Sequence, residues 1–412
     1  MNSSRGPQSR LNRSSLFVRL ALVCALFALP ATGGFLTFLG AYFDGGGVPD
    51  GLDGASAVSV SPDGRHVYAT GRLDDALVVF RRDATNDLLT YVETLQDGIG
   101  GVFGLNGAFD VTTSPDGRHV YAVSRNSDAL TVFRRDPSGD NLAFVGAQEN
   151  AVGGVFGLDG PSAVTVSPDG RHVYVTGERD DALVIFRRDP SNDSLFFYNL
   201  IEDNGVLGLG NPTSVDVSPD DLHVYVTAAD SLSTFARDAT TDALSHVGTI
   251  GANNDLEGAR SVVTSPDGEH IYVAVEDLDT IAVFERTASG LPSRIATVEN
   301  GVDGVSGLNA PTSIEFSLDG RVVFVSGRAA RAVVVFQRDP ASGALIYRKQ
   351  LNLDDSGVTG TEGVIDLAAS SDGEHLFAAG RAADSVVMFE QSLLFTDGFE
   401  SGDTSRWSDT ED

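Results

Sequence analysis

The sequence predicts an all-β protein: a seven-bladed β-propeller of four-stranded antiparallel blades, closed by an N-terminal strand that completes the last blade. Three observations carry this prediction. Close copies of the stretch SPDGRHVYVTG recur with anchor serines at 61, 114, 167, 218, 265, 317 and 370, spaced 47 to 53 residues apart. A period of that length denotes a solenoid, a propeller or an array. Each unit holds four short strand-like apolar runs, the content of one propeller blade. The last unit supplies only three runs, and one unmatched run stands near the N-terminus.

In chain order, Arg5, Arg10, Arg13 and Arg19 precede the apolar run LALVCALFAL at 20–29, and small residues follow at Ala31, Gly33 and Gly34. This pattern reads as a secretory signal over residues 1–33. Ten apolar residues are too few to span a bilayer, so a secreted protein, extracellular or periplasmic, is expected, with no transmembrane segment after cleavage. Next, LTFLGAYFDGG at 36–46 matches LAFVGAQENAV at 142–152, a fourth-strand pattern. No complete blade precedes it, so it is expected to form the outer strand of the last blade and remove an exposed sheet edge.

The third unit shows the blade plainly. SAVTVS and HVYVTG alternate, ALVIFRR is a third strand and SLFFYNL a fourth. In SPDG the Pro presets φ, the Asp bonds locally and the Gly takes the positive φ that follows the turn. Glycine clusters such as GIGGVFGLNG at 98–107 lack the G-x-G-x-x-G order and open no helix, so they read as crossovers between blades. The propeller is expected over 34–391. An acidic tail, 392–412, carries the only Trp, Trp407, and resembles a short ending of assorted secreted bacterial proteins.

Charge narrows the function. The chain has 58 acidic and 28 basic residues, a formal charge of -30, which opposes binding to nucleic acid or anionic membrane. Lys349 is the one lysine, so a cationic site must be built from arginine, whose planar fork matches carboxylate and phosphate. Cys24, the one cysteine, lies in the signal run, which leaves the mature chain without thiol catalysis, disulfides or a Cys metal site. No nucleophile elbow, H-E-x-x-H, P-loop or EF-hand spacing is present, and no cofactor is expected.

Repeats of the type SPDGRHVYVTG followed by DALVIFRRDP resemble the seven-bladed lactonase family, which includes 6-phosphogluconolactonase-like and YVTN-repeat propellers. The resemblance spans roughly residues 36 to 391. It implies the propeller fold and, as one activity of the family, lactone hydrolysis. The family's YVTN stands here as YATG, YAVS, YVTG, YVTA, YVAV, FVSG and FAAG, and no catalytic residue can be carried over one by one.

A site in a ring of similar blades requires asymmetry. His66, His119, His172, His223, His270 and His375 share one repeat position and are therefore expected to be structural, as is His246 on a fourth strand. Three departures from the repeat are candidates. Inner strands carry Asp110 and Asp366 at one level and Asp216 and Glu315 two residues later, acids that could serve as general bases. Whether they hold a cation is left open. The loop after strand two carries Arg72, Arg125, Arg328 and Arg381 in blades 1, 2, 6 and 7, which closure makes neighbours. Such an arc suits an anionic ligand, unless Asp75, Asp128 and Asp384 neutralise it in blades 1, 2 and 7. Blade 4 has a shortened loop, TAADS, and a short crossover beside Arg260, which stands where most units start strand one with Pro or Ala.

Two functions follow. One is a secreted, monomeric binding or scaffold propeller presenting its loop face to a glycan, peptide or protein. The other is a hydrolase of a sugar-acid lactone, with an inner acid activating water and Arg meeting the oxyanion.

Overall fold

The computed structural model describes residues 36–391, apart from 46–49, 84, 86–87, 137–138, 190–193, 204, 206, 239, 252–254, 353–354 and 356. The expected signal segment 1–33 and tail 392–412 lie outside the described residues.

The apolar runs of each repeat form 28 strands, arranged in seven four-stranded antiparallel sheets. In blade 1, β2 (Ala55–Val60), β3 (His66–Gly71), β4 (Ala76–Arg82) and β5 (Leu89–Gln96) pair in chain order. Blade 7 consists of β26 (Val364–Ala369), β27 (His375–Gly380) and β28 (Ser385–Glu390), with β1 (Thr37–Phe43) as its outer strand. The β1 register runs from Thr37 opposite Glu390 to Phe43 opposite Ser385. Innermost strands β2, β6 (Ala108–Thr113), β10 (Pro161–Val166), β14 (Pro212–Val217), β18 (Ala259–Thr264), β22 (Pro311–Phe316) and β26 touch in that cyclic order, and β26 meets β2 again. The ring is closed as the sequence predicts.

Middle strands such as HVYATG are buried throughout because a neighbouring blade covers each face. The core is therefore a set of inter-blade layers: Tyr121 and Val132 of blade 2 pack with Val164, Val175 and Phe186 of blade 3. A large side chain fully buried in this way contributes about 1.5–3 kcal/mol.

The SPDG turn is fixed by its own side chains. Ser61 donates to Asp63 at 2.6 Å and accepts from the backbone N of His66 at 2.9 Å, while Gly64 turns with φ 68°. The same turn also joins blades. Arg135, at the end of the third strand of blade 2, donates to Asp63 at 2.6 Å and to Nδ1 of His66 at 2.9 Å in blade 1. Equivalent bolts are Arg188 on Asp116 and His119, Arg237 on Asp169 and His172, Arg286 on Asp220 and His223, and Arg338 on Asp267 and His270. Arg82 on Asp372 and His375 bolts blade 1 to blade 7. Burial, then the facing guanidinium, holds His66 and His375's counterpart His270 below the ordinary histidine range. The recurring histidines are structural; Arg135, Arg188, Arg237 and Arg338 are buried with theirs, while Arg82, Arg286 and His223 are partly exposed. His246, by contrast, is exposed, lying across Phe235 with ring centroids 5.5 Å apart.

Candidate active site at the channel mouth

Strand direction alternates, so the loops after strand two and the blade crossovers share the face opposite the bolts. On that face the second strand often ends in glycine, because crossover backbone lies against it. A Cβ on Gly71 would sit 2.0 Å from the Gly51 carbonyl oxygen, and one on Gly327 1.9 Å from that of Gly307. The residue immediately following forms a ring of equivalent positions: Arg72, Arg125, Glu178, Ala229, Glu276, Arg328 and Arg381 from blade 1 to blade 7.

Three residues further, the expected acid partners do other work. Asp75, Asp128 and Asp384 adopt φ of 55°, 49° and 50° and accept from the backbone N of Gly107, Gly160 and Gly54 at 2.7, 2.9 and 2.8 Å. Each ties its loop to the next blade and leaves its arginine alone. Arg331 keeps the same left-handed conformation in blade 6, with φ 56°.

The arginines find acids within their own ring of positions instead. Arg125 pairs with Glu178 of blade 3. Arg328 pairs with Glu276 of blade 5, and Arg260 donates to the same carboxylate, which is only 8% exposed. Arg72 and Arg381, between these pairs, have no ion pair among the described residues. The Nε of Arg72, the Nε of Arg125, and both Nε and Nη2 of Arg381 are buried without a hydrogen-bond partner. Each donor left so costs about 1–3 kcal/mol until something meets it.

Phe109 of β6 organises the cations. The Arg125 guanidinium lies 3.8 Å from its ring centroid and that of Arg381 5.5 Å. Arg381 thus reaches from blade 7 past blade 1, where the equivalent residue is the small Ser56, and its guanidinium approaches the channel mouth. Burial first, then the neighbouring guanidinium groups, lowers both Arg125 and Arg381 to about 10. Arg381 is half-buried, not the exposed loop residue that its position in a turn suggests.

Beneath them lie Asp110 and Asp366. Asp110 accepts from the backbone N of Val164 and of Val111 at 2.8 Å each; Asp366 accepts from Val58 N at 2.9 Å and from Ser313 Oγ at 3.0 Å. They stitch adjacent inner strands together while still facing the channel. Burial raises Asp110 to about 7, aided by the charge of Asp366, and raises Asp366 to about 6, against the backbone donors that favour the ionised form.

A cavity of about 350 Å³ brings Asp110, Asp366, Arg125, Arg260, Arg328 and Arg381 together with Glu276, Phe109 and several inner-strand hydroxyls. Three of the sequence candidates are not in its wall. Arg72 is near enough to Arg381 to lower it by charge but does not line the cavity. Asp216 and Glu315 lie one strand repeat deeper, roughly 6–7 Å along the channel. There Asp216 accepts from Thr264 N at 2.7 Å and Glu315 from Ala369 N at 3.4 Å, and burial raises them to about 6 and about 8.

Arg260 needs a correction of register. Ala259 occupies the Pro or Ala position at the strand start, and Arg260 replaces the Ser or Thr of Ser56, Ser162, Thr213 and Thr312. Those hydroxyls donate to the carbonyl of the next inner strand, for example Ser162 to Pro212 O at 2.6 Å. Its blade gives up that bond and places a guanidinium in the cavity. Beside it, the shortened loop of blade 4 is the two-residue hairpin Ala229–Asp230 between strands Pro-free at that end, Ala228 opposing Ser231. Sequence reasoning missed Glu178, Glu276 and Phe109. The first two were visible as the sign reversals within one repeat position.

Among the described residues two clusters could be considered for a metal, Asp44 with Asp50 and Asp74, and Asp372 with Glu374 and His375. Neither lines the cavity. Asp44 is occupied by the backbone N of Gly51 and Leu52, and Asp372 and His375 by Arg82. What the cavity itself offers is a carboxyl that titrates near neutrality below a set of guanidinium donors, the parts needed to activate water and to meet a developing oxyanion.

Known proteins share this framework. A 6-phosphogluconolactonase from Pectobacterium carotovorum is 22% identical over 142 residues, 34% of this chain and 41% of that protein. One from Serratia proteamaculans is 24% identical over 131 residues, 32% of this chain and 38% of that protein. The chain thus matches about two-fifths of the length of these curated relatives. Among solved structures, a putative 6-phosphogluconolactonase from Bacteroides uniformis superposes with a TM-score of 0.61 at 20% identity, covering 76% of this chain and 88% of that one. The periplasmic gluconolactonase of Pseudomonas aeruginosa gives 0.59 at 19% identity, covering 72% and 85%. These likenesses establish the fold. The model of the lactonase family, a seven-bladed β-propeller, matches residues 43–98, 97–200 and 210–392, and the chain belongs to that family.

Proposed function

We propose that this protein is a lactone hydrolase working at the channel mouth. The observation that carries the reading is one cavity wall that brings Arg125, Arg260, Arg328 and Arg381 together with Asp110, a carboxyl raised to about 7. Family membership and the two gluconolactone-type neighbours support it. The scaffold alternative uses the loop face but gives neither feature a role.

In this reading Asp110 takes a proton from water as the water oxygen bonds to the lactone carbonyl carbon. The negative charge that forms on the carbonyl oxygen is met by a guanidinium of the cavity. The intermediate collapses by breaking the ring C–O bond, and the carboxyl of Asp110 returns the proton to the departing oxygen. The product is the open hydroxy acid. Asp366 tunes the base, since its charge raises Asp110. Export is part of the proposal: the signal-like residues 1–33 would place the enzyme outside the cytoplasm, where free lactones rather than phosphorylated intracellular ones are met. Among the described residues no helix is long and apolar enough to cross a membrane.

The test is turnover of a panel of five- and six-membered sugar lactones by the purified protein. Hydrolysis above the buffer rate, lost on Asp110→Asn, is the expected result. A wild-type rate equal to buffer across the panel would refute the reading.

A further inference from the structure

We infer that the inter-blade bolts form an acid latch: each closes its seam only while its histidine is neutral, so that acid releases several seams over the same pH range. The inference is independent of the lactone-hydrolase reading.

The protonation state follows from the contacting donors. A guanidinium has N–H groups and no acceptor, so the ring nitrogen that meets it must accept. Arg135 approaches Nδ1 of His66 at 2.9 Å, Arg237 that of His172 at 2.9 Å, Arg286 that of His223 at 3.1 Å and Arg338 that of His270 at 2.9 Å. Nδ1 therefore carries no proton at any of these positions, and each imidazole is the neutral Nε2–H form. In blade 1 that Nε2 meets Asp140 at 3.2 Å. A proton added at Nδ1 would set N–H against N–H, and one positive charge against another, across the same gap. The contact recurs between Arg188 and His119 and between Arg82 and His375.

The surroundings offset the added charge only in part. Facing His66 are Arg135, Asp63 and Asp140, the last also bonded to Arg81 at 3.1 Å. Asp63 already accepts from Ser61, from the backbone N of Arg65 and from Arg135. Facing His172 are Arg237, Arg187 and Asp169, with Asp242 at 3.6 Å; Asp221 and Asp242 pair with Arg237. Tyr198 lies edge-on to the same ring. Arg286 and Asp220 face His223, and Arg338, Asp267, Glu269 and Glu285 face His270. The tyrosine two residues on in each strand, Tyr68, Tyr174, Tyr225 and Tyr272, is kept neutral by burial. Burial, then the facing guanidinium, holds all of these bolt histidines below their ordinary range.

The latch shares its seams with the cavity. Blades 2 and 3 are bolted by Arg188 on His119 and joined at the cavity by Arg125 and Glu178. Blades 5 and 6 are bolted by Arg338 on His270 and joined at the cavity by Arg328 and Glu276. Because the folded histidine value lies below the unfolded one, the unfolded chain binds the extra proton. The stabilisation is therefore complete above the ordinary value of about 6.5 and is lost as pH falls below it. The channel acids, raised by burial, act in the opposite sense, so the test compares variant with wild type at matched pH.

Asparagine at the histidine position keeps an acceptor oxygen near the place of Nδ1 and takes no proton. Urea unfolding of the full chain, wild type against His66→Asn from pH 8 to pH 5, reads the latch. The ratio of wild-type to variant unfolding constants should be level above pH 7 and rise as pH falls, by up to about tenfold per pH unit. Replacing His66, His172, His223 and His270 together should steepen the rise, up to about four decades per pH unit. His246→Asn, outside every bolt, controls for removing a histidine as such. A second measurement needs no stable histidine variant: in carbon-edited NMR of the wild type these bolt imidazoles should titrate below pH 6.5, and Arg135→Gln should raise the His66 midpoint. A ratio independent of pH, a rise as steep for His246→Asn, bolt histidines titrating at or above 6.5, or a His66 midpoint unmoved by Arg135→Gln would each overturn the latch.

Discussion

At the scale of single residues, the same side-chain types do opposite work according to their level in the ring. The aspartates of the SPDG turns are held below the ordinary carboxyl range, Asp63 to about 2, by Ser61 and Arg135. The channel acids are pushed the other way by burial. In the proposed hydrolysis Asp110 is the base, so Asp110→Asn should lower kcat about 10²–10⁴-fold with little change in KM. Loss of its ionisation should also remove the limb of the kcat/KM profile near pH 7. Glu315, deeper and outside the cavity wall, gives a stability test. Its folded pKa, about 8, exceeds the unfolded value, so it favours the fold fully below about pH 4.5 and loses that contribution as pH rises toward 8. The difference in Tm between Glu315→Gln and wild type should therefore grow in the mutant's favour from pH 4.5 to pH 8 and stay level beyond. A difference independent of pH would show that Glu315 is not held protonated. Asp110 and Glu315 could be picked from the sequence as acids in a strand of small residues. Their protonation could not, because burial arises only when seven inner strands converge.

At the scale of elements, the exposed outer strands show how a propeller protects its edges. Each of the seven has one extra residue opposite the third strand, Val92 and Val145 in blades 1 and 2 and Leu39 in β1. A bulge of this kind twists the edge and interrupts its hydrogen-bond ladder, which discourages pairing with another chain. β1 has a further duty. Leu36 is buried, Leu39 and Tyr42 pack on the layer between blades 7 and 1, and the Tyr42 hydroxyl accepts from Leu89 N at 2.7 Å. Asp44 then accepts from Gly51 N and Leu52 N. A chain beginning at Gly51 loses several contributions of about 1.5–3 kcal/mol and exposes β28. It should melt at least 10 °C below a chain beginning at Gly34, or aggregate. Equal melting by circular dichroism would mean that β1 does not close the ring.

At the scale of the whole molecule, closure depends on the inter-blade bolts, and six of the seven seams have one. The seam between blades 6 and 7 does not: Val322 stands where the others have His, and Gln391, which donates to His375 O at 2.8 Å, stands where they have Arg. Both halves are absent at the same seam, as expected if a buried arginine without its partner is costly. Asp319 is still present in the turn, bonded to Ser317. Installing Val322→His with Gln391→Arg should therefore stabilise more than the two single changes summed, with a coupling of about 0.5–3 kcal/mol in a double-mutant cycle. Additive effects would show that the bolt is a packing coincidence and not a cooperative unit.

What the sequence alone determined was everything that repeats: the number of blades, their four strands, the closing N-terminal strand and the structural role of six histidines. It could do so because each copy must satisfy the same turn, the same inter-blade layer and the same backbone hydrogen bonds, so local pattern and fold agree in every blade. What only the tertiary structure decided was which cations, Arg72 and Arg381, have no ion pair among the described residues. Arg72, Arg125, Arg328 and Arg381 look alike in sequence, and their nearest acids, Asp75, Asp128 and Asp384, suggest pairing within the loop. In the ring, Glu178 and Glu276 come from adjacent blades, some fifty residues away in the chain, and neutralise the outer two. Arg381 meets Phe109 only because closure sets blade 7 beside blade 1. Charge compensation acts over a few ångströms of space, and that distance exists only after the ring has closed.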